Sequence, residues 1–216
     1  ISLQNLELLT ETRRRLNEMN LLLDFSRKLG SLDPASILKA LLENAREAIP
    51  VGTAGWVGLL NKEGQLEPLA ASGYADSDAL LEMRFPLEVS GRSLPVSAFR
   101  ANQPLRIDEL NFVQEYTLSS DDLLRYRRAT GGGLPIAALA TPIGLGEHAL
   151  GVLVLENFTT PDAFIPEDEG VTQSLSQQAA LALDNARLLQ SAEQRAAQLQ
   201  ALTEVAGTIT SSLQLR

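Results

Sequence analysis

The sequence has no cysteine, which removes disulfides, thiolate nucleophiles, zinc–thiolate centres and thioether-linked chromophores, and leaves the redox compartment unread. Histidine occurs once, at His148, beside a predicted hairpin turn. It has no serine or cysteine partner nearby in sequence and no metal-ligand spacing, so it is expected at the surface and no metal is expected. Positive charge is scarce: Lys+Arg 18 against Asp+Glu 27 gives a net charge of -9, which repels a phosphate backbone and anionic headgroups and argues against nucleic acid as a partner. Long apolar runs are missing too. The stretch from Gly133 to Leu145 is broken by Pro135 and Pro142 and falls short of the roughly 18 residues that span a bilayer, so no membrane contact is expected. There is no initial methionine and no signal-peptide pattern, and the chain reads as a piece of a longer protein. That piece is expected in the cytoplasm, whether or not the parent protein is anchored in a membrane.

What is present begins with two similar ends. Offset by 180 positions, Leu3, Asn5, Leu8, Leu9, Arg15 and Leu22 coincide with Leu183, Asn185, Leu188, Leu189, Arg195 and Leu202. No proline or glycine interrupts Ile1 to Leu29, and Leu9, Leu16 and Leu23 recur every seven residues. Near the other end Leu181, Leu188, Leu202 and Ile209 hold one heptad position, interrupted by Arg195, and Ala192, Leu199, Ala206 and Leu213 hold a second, interrupted by Asn185. Two readings are open: coiled-coil seams that pair two copies of the chain, or amphipathic helices packed on their own domain. The seam reading makes residues 1–30 an N-terminal connector helix, residues 31–189 a globular domain and residues 190–216 a C-terminal connector leading into a following module.

Between the ends the pattern is α/β. Asp33-Pro34 offers an N-cap followed by proline at N1, and Ile37, Leu38, Leu41, Leu42, Ala45 and Ile49 form an amphipathic helix up to Pro50. A hairpin is expected from Ala54 to Leu60 and from Leu66 to Ala71, with its turn at Asn61 to Gly64. Phe85 to Val89 and Pro104 to Ile107 read as short strands around a small helix from Ser93 to Asn102. A second hairpin turns near Gly146-Glu147 and ends in the β-rich run Gly151 to Leu155. Pro166 and the carboxylates of Glu167, Asp168 and Glu169 suit a helix start better than a cation site, because three successive residues point around the helix. Gly131-Gly132-Gly133 lacks the Lys-Ser/Thr of a phosphate-cradling loop and is expected to be flexible.

In order and spacing, Ser31 to Pro34, Ala54 to Gly64, Phe85 to Leu87, Leu139 to Ile143, Gly151 to Asn157 and Phe164 to Glu169 ahead of Ala182 to Ala186 resemble the GAF family. The resemblance implies an α+β, GAF/PAS-like domain: a central antiparallel sheet of about six strands flanked by helices, terminal helices on one face, and a small-molecule pocket on the other. It also implies a sensory or scaffolding role in a larger signalling protein such as a histidine kinase. In such proteins the helix leaving one module enters the next, which is one account of the matching ends; the other is chance similarity between two leucine-rich helices.

Trp56 and Gly58 share one parity on the first strand, so a large ring is expected beside a vacancy. Ala138 and Ala140 are small on one face of the strand that, in GAF domains, lies near the pocket. The family places Tyr74, Phe85, Phe99, Tyr116, Arg125 and Tyr126 around the same face, which completes the candidate pocket. Against this stands the plainer reading that Trp56 and Phe99 are core and that Arg125, Arg127 and Arg128 form a solvated helix face. The cyclic-nucleotide subfamily's signature finds Asn157, Phe164, Asp168 and Glu169 in order but lacks its lysine, Phe158 following Asn157 instead, which argues against that ligand. A covalent bilin needs the cysteine that is missing, and so does the family's methionine sulfoxide reductase chemistry. No catalysis is expected. Two functions remain: a sensor that binds a small molecule and shifts the connector helices, or a ligand-free dimerising spacer. Either is expected to act as a homodimer through the connectors, with Leu9, Leu16, Leu23, Leu188, Ala192, Leu199, Leu202 and Ile209 in the seam, and to work on neighbouring signalling modules of the same chain.

Overall fold

The structure, a computed structural model, describes residues 33–88 and 92–213, with the side chains at 193, 196, 197 and from 199 onward left aside. The N-terminal connector and its seam residues Leu9, Leu16 and Leu23 lie outside the described residues, as do the side chains of Leu199, Leu202 and Ile209.

Helix α1, Pro34–Ala48, starts where the sequence places it. The Asp33 carboxylate accepts from the amides of Ala35 and Ser36 at 3.0 and 3.1 Å, satisfying donors that the first turn leaves open, and Pro34 supplies the helical φ. Its buried side, Ile37, Leu38, Leu41, Leu42 and Ala45, packs on strands β1, Ala54–Leu60, and β2, Gln65–Ser72. The short helix α2, Ser77–Leu81, was not expected; Asp76 caps it by accepting from the Ala79 amide at 3.0 Å. Strand β3 is only Phe85–Pro86. The strand expected on to Val89 stops early because Pro86 has no N–H to donate and the Leu87 amide turns to the Gly64 carbonyl at 3.0 Å; Val89 itself lies outside the described residues. Helix α3, Leu94–Ala101, strand β4, Leu105–Ile107, the single turn α4, Phe112–Glu115, and helix α5, Ser120–Thr130, follow. Gly131 ends α5 in the left-handed conformation at φ 70°, so the glycine run acts as a helix cap. Strands β5, Ala137–Leu145, and β6, His148–Asn157, form the second hairpin, and helix α6 runs from Pro166 to Leu213.

The strands make one sheet in the order β3-β2-β1-β6-β5-β4, with every neighbour antiparallel. Alternation along the strands then divides the interior in two. One layer is aliphatic: Val57, Leu139, Leu153 and Leu155 are fully buried with the α1 side chains and with Leu175 and Ala179 of α6. Thr141 of β5 and Thr172 of α6 share a buried hydroxyl pair at 2.7 Å, which ties sheet to helix. The opposite layer, beneath α2 to α5, holds the one tryptophan and all three tyrosines. The compact unit containing the sheet ends at Ala182; the rest of α6 forms a second unit, on which Leu188 and Leu189 are exposed. Among the described residues no helix is long and apolar enough to cross a membrane.

A buried carboxylate among tyrosines as candidate functional site

On β6, Val152, Val154 and Glu156 share the face that meets the aromatic layer, and Glu156 is fully buried there. The register sets Glu156 opposite Ala54 of β1 and Ala138 of β5. Alanine on both sides leaves the carboxylate room for partners from above. The Tyr74 hydroxyl donates to one carboxylate oxygen at 2.6 Å and the Tyr126 hydroxyl donates to the other at 2.8 Å. Tyr74 reaches in from the turn after β2, and Tyr126 sits on the buried side of α5. That helix is pinned by Arg128, which donates to Asp76 at 3.0 Å, and by the Asp76 amide on the Ala129 carbonyl at 3.0 Å.

Burial raises the Glu156 carboxyl from 4.5 to about 7, and the tyrosine hydrogen bonds, which favour the anion, oppose the shift without cancelling it. The same burial, and then the field of Glu156, pushes Tyr74, Tyr116 and Tyr126 well above the usual phenol range. Among the described ion pairs, none contains Glu156.

Rings surround this centre. Trp56 stacks on Phe85 with centroids 4.9 Å apart, Phe85 meets Tyr116 edge-on at 6.5 Å, and Phe112 stacks on both Tyr116 and Tyr126 at 4.5 Å. Trp56 Nε1 and the Ser93 hydroxyl are buried without a hydrogen-bond partner, and the Tyr116 hydroxyl makes no well-aligned bond although it stands within the reach of Glu156. Such groups are costly to leave unpaired in an interior. The backbones of Ser93 and Tyr116 are joined as an isolated β-bridge. Outside the rings, Leu110, Phe112, Val113, Leu134 and Ile136 line an open cleft of about 660 Å³. Phe112 belongs to both cleft and ring stack.

Most candidate pocket residues converge on this layer. Trp56, Phe85, Tyr116, Tyr126, Ala138 and Ala140 are buried in it, and Tyr74 and Phe99 pack against it. Two expectations fail. Gly58 leaves no vacancy: a β-bulge between Val57 and Gly58 carries the β2 backbone over it, and a Cβ there would stand 2.6 Å from the Glu67 carbonyl oxygen. Arg125 points away from the pocket; it lies on the exposed side of α5 and pairs with Asp122 at 3.4 Å. Arg127 is exposed as well, so the solvated-face reading holds for this cluster. His148 is exposed at the start of β6.

The residues of the incomplete nucleotide signature have local duties. Asn157 donates to the Val51 carbonyl at 2.7 Å and accepts from the amides of Thr159 and Thr160. Asp168 accepts from the Ile165 amide at 2.9 Å, and Glu169 pairs with Arg106 at 3.1 Å. Among the described residues no cluster of His, Asp and Glu is arranged to hold a metal. Glu156 is the functional candidate that sequence reasoning passed over. Its one signal was an acidic residue at the parity of Val152 and Val154.

A family model described as GAF domain matches residues 31–184. Comparison with curated protein sequences finds no significant match. Among solved structures, the chain is similar to the GAF domain of a phosphoenolpyruvate-protein phosphotransferase from Coxiella burnetii, at 18% identity and a TM-score of 0.64 over 82% of this chain and 98% of that one. A fragment of a methyl-accepting chemotaxis protein is similar at 19% identity and a TM-score of 0.61, over 76% of this chain and 98% of that one. The free methionine-R-sulfoxide reductase of Neisseria meningitidis, solved with its substrate, is similar at 14% identity and a TM-score of 0.61, over 80% of this chain and 91% of that one. At these identities the likeness is one of fold.

Proposed function

Since the chain belongs to the GAF family, regulatory modules found in signalling proteins, we propose that it is a non-catalytic sensor that binds a small molecule on the aromatic face of its sheet. The observation that carries this reading is the buried Glu156, unpaired with any described cation, in one layer with the buried indole N–H of Trp56, which lacks a partner. A fold alone does not require that arrangement, and a buried polar group without a partner calls for one, which a ligand with a few placed polar groups can supply. Relay from the site has a physical route within the domain. Ala140 of β5 faces the rings while its neighbour Thr141 holds Thr172 of α6, so displacing the strand on one face moves a helix contact on the other. The ligand then biases two helix arrangements by its different affinity for each.

The assembly proposed is a homodimer through the connector helices, acting on neighbouring signalling modules in a cytoplasmic part of the parent protein. Leu181 and Leu188, one heptad apart on α6, are 52% and 60% exposed, and Ala192 beyond them is exposed too. A second copy of the same helix would cover that stripe. Mass spectrometry under native conditions after mild purification tests the sensor, with a retained small molecule expected. A dimer that retains nothing would favour the spacer, a reading supported by the mutual stacking of Trp56 on Phe85. Light scattering should report a dimer for the whole chain and a monomer once residues 190–216 and 1–15 are removed.

A further inference from the structure

The chemistry of the proposed site is specific enough to name a ligand class. Resting on the reading of the aromatic face as a binding site, we propose that it takes a small organic ammonium compound of amino-acid size, its ammonium against Glu156 and its acceptor oxygens against Trp56. Glu156 accepts one hydrogen bond on each oxygen, from Tyr74 and Tyr126, and a carboxylate has about four acceptor positions, so capacity for a cationic donor remains. The surrounding rings add their own preference, since ring faces attract organic cations. At the other end the requirement reverses. The Trp56 indole N–H can only donate, and it is buried without an acceptor. One ligand that donates at one end and accepts at the other answers both needs.

Size follows from the sheet. Trp56 pairs with Val154, two residues before Glu156 on the same face, which makes Trp56 and Glu156 diagonal neighbours with Cα atoms about 7–8 Å apart. A ligand that touches both side chains across that backbone separation is of amino-acid size rather than nucleotide size. The way in is the open cleft beside Phe112, whose ring separates it from Tyr116 and Tyr126. A cation also changes the protonation of the site: with its carboxyl near 7, Glu156 is about half protonated at neutral pH, so a ligand that needs the anion must displace about half a proton on binding.

The test is calorimetric titration of the full chain with the standard L-amino acids, each beside its deaminated acid and its decarboxylated amine, for example leucine, isocaproate and isoamylamine. At least one amino acid should bind at least tenfold more tightly than its deaminated acid, with an observed heat that varies linearly with the ionisation enthalpy of the buffer and a slope that corresponds to proton release. Glu156→Gln should weaken it at least tenfold. Trp56→Phe should weaken the amino acid several-fold and leave the amine unchanged, a split that general damage to the core would not produce. Deaminated acids binding as well as amino acids, or binding without proton release, would overturn the ligand class. If no amino acid binds while native mass spectrometry finds a retained anion or neutral molecule, the class falls and the sensor stands. If no panel member binds and nothing is retained, both fall and ordered water is left as the partner of the buried donors.

Discussion

The two faces of the sheet are built from different materials. Beneath α1 and the start of α6 the interior is aliphatic, and the hydroxyls of Thr141 and Thr172 satisfy each other. Beneath α2 to α5 the chain gathers its one tryptophan, its three tyrosines and a carboxylate, and leaves donors unpaired. Aliphatic burial alone gives stability at about 25 cal/mol per Å², with no demand on hydrogen bonding. Burying a carboxylate works against folding unless something is gained from it. The proposed function gives stability to one face and recognition to the other, and that division can be attacked by substitution on each.

The largest effects should fall on the aliphatic face. Leu153→Ala removes a fully buried side chain from the central hairpin and should cost about 2–5 kcal/mol in urea unfolding, without altering ligand retention once the protein is folded. Loss of binding at unchanged stability would break the division. Gly58→Leu belongs to the same order of effect: overpacking costs about 1–3 kcal/mol, and here the obstacle is the β2 backbone 2.6 Å from the new Cβ, so the top of that range or beyond is expected. A variant that melts within a degree of the parent would restore the vacancy that the bulge has filled.

Gly58 also shows where sequence reasoning stops. Turn residues between β-rich runs located both hairpins, and Asp33-Pro34 located α1, because those signals are local. Parity put Gly58 on a strand with Trp56 but could not reveal that the register slips between Val57 and Gly58 and brings a neighbour's backbone across. Glu156 was hidden for a related reason. In the sequence it is the polar end of an apolar run beside Asn157, and only the pairing with Ala54 and Ala138 shows it to be enclosed. The tyrosines that meet it come from segments up to 82 positions away. Such convergence is a property of topology, which no local pattern contains.

On the aromatic face the predicted signature is a dependence on pH. Glu156 has a folded pKa near 7 against 4.5 unperturbed, so its favourable contribution is fully present below about 4.5 and is lost as pH rises through 7. Over that window the unfolded chain releases the proton first, and the loss amounts to about 3 kcal/mol at most. Glu156→Gln removes the titration. Urea midpoints should therefore show the variant more stable than the parent at pH 8 and level with it or below it at pH 5. Parallel pH profiles for the two proteins would show that Glu156 is not buried as a carboxylate.

The finest cut is between neighbours on α5. Tyr126 and Arg125 are adjacent in sequence and about 100° apart around the helix, one against Glu156 and the other in solvent. Tyr126→Phe deletes a hydrogen bond to a buried carboxylate, which should cost about 1–2 kcal/mol at pH 8 and move the Glu156 titration higher, since that bond favours the anion. At pH 5, with the carboxyl protonated, the cost should shrink. Arg125→Ala removes only an exposed pair with Asp122 at 3.4 Å, worth at most about 0.5 kcal/mol, and should leave ligand binding unchanged. The two substitutions differ by one position, so a comparable effect on binding from both would mean that α5 as a whole, and not its inward side, contacts the ligand.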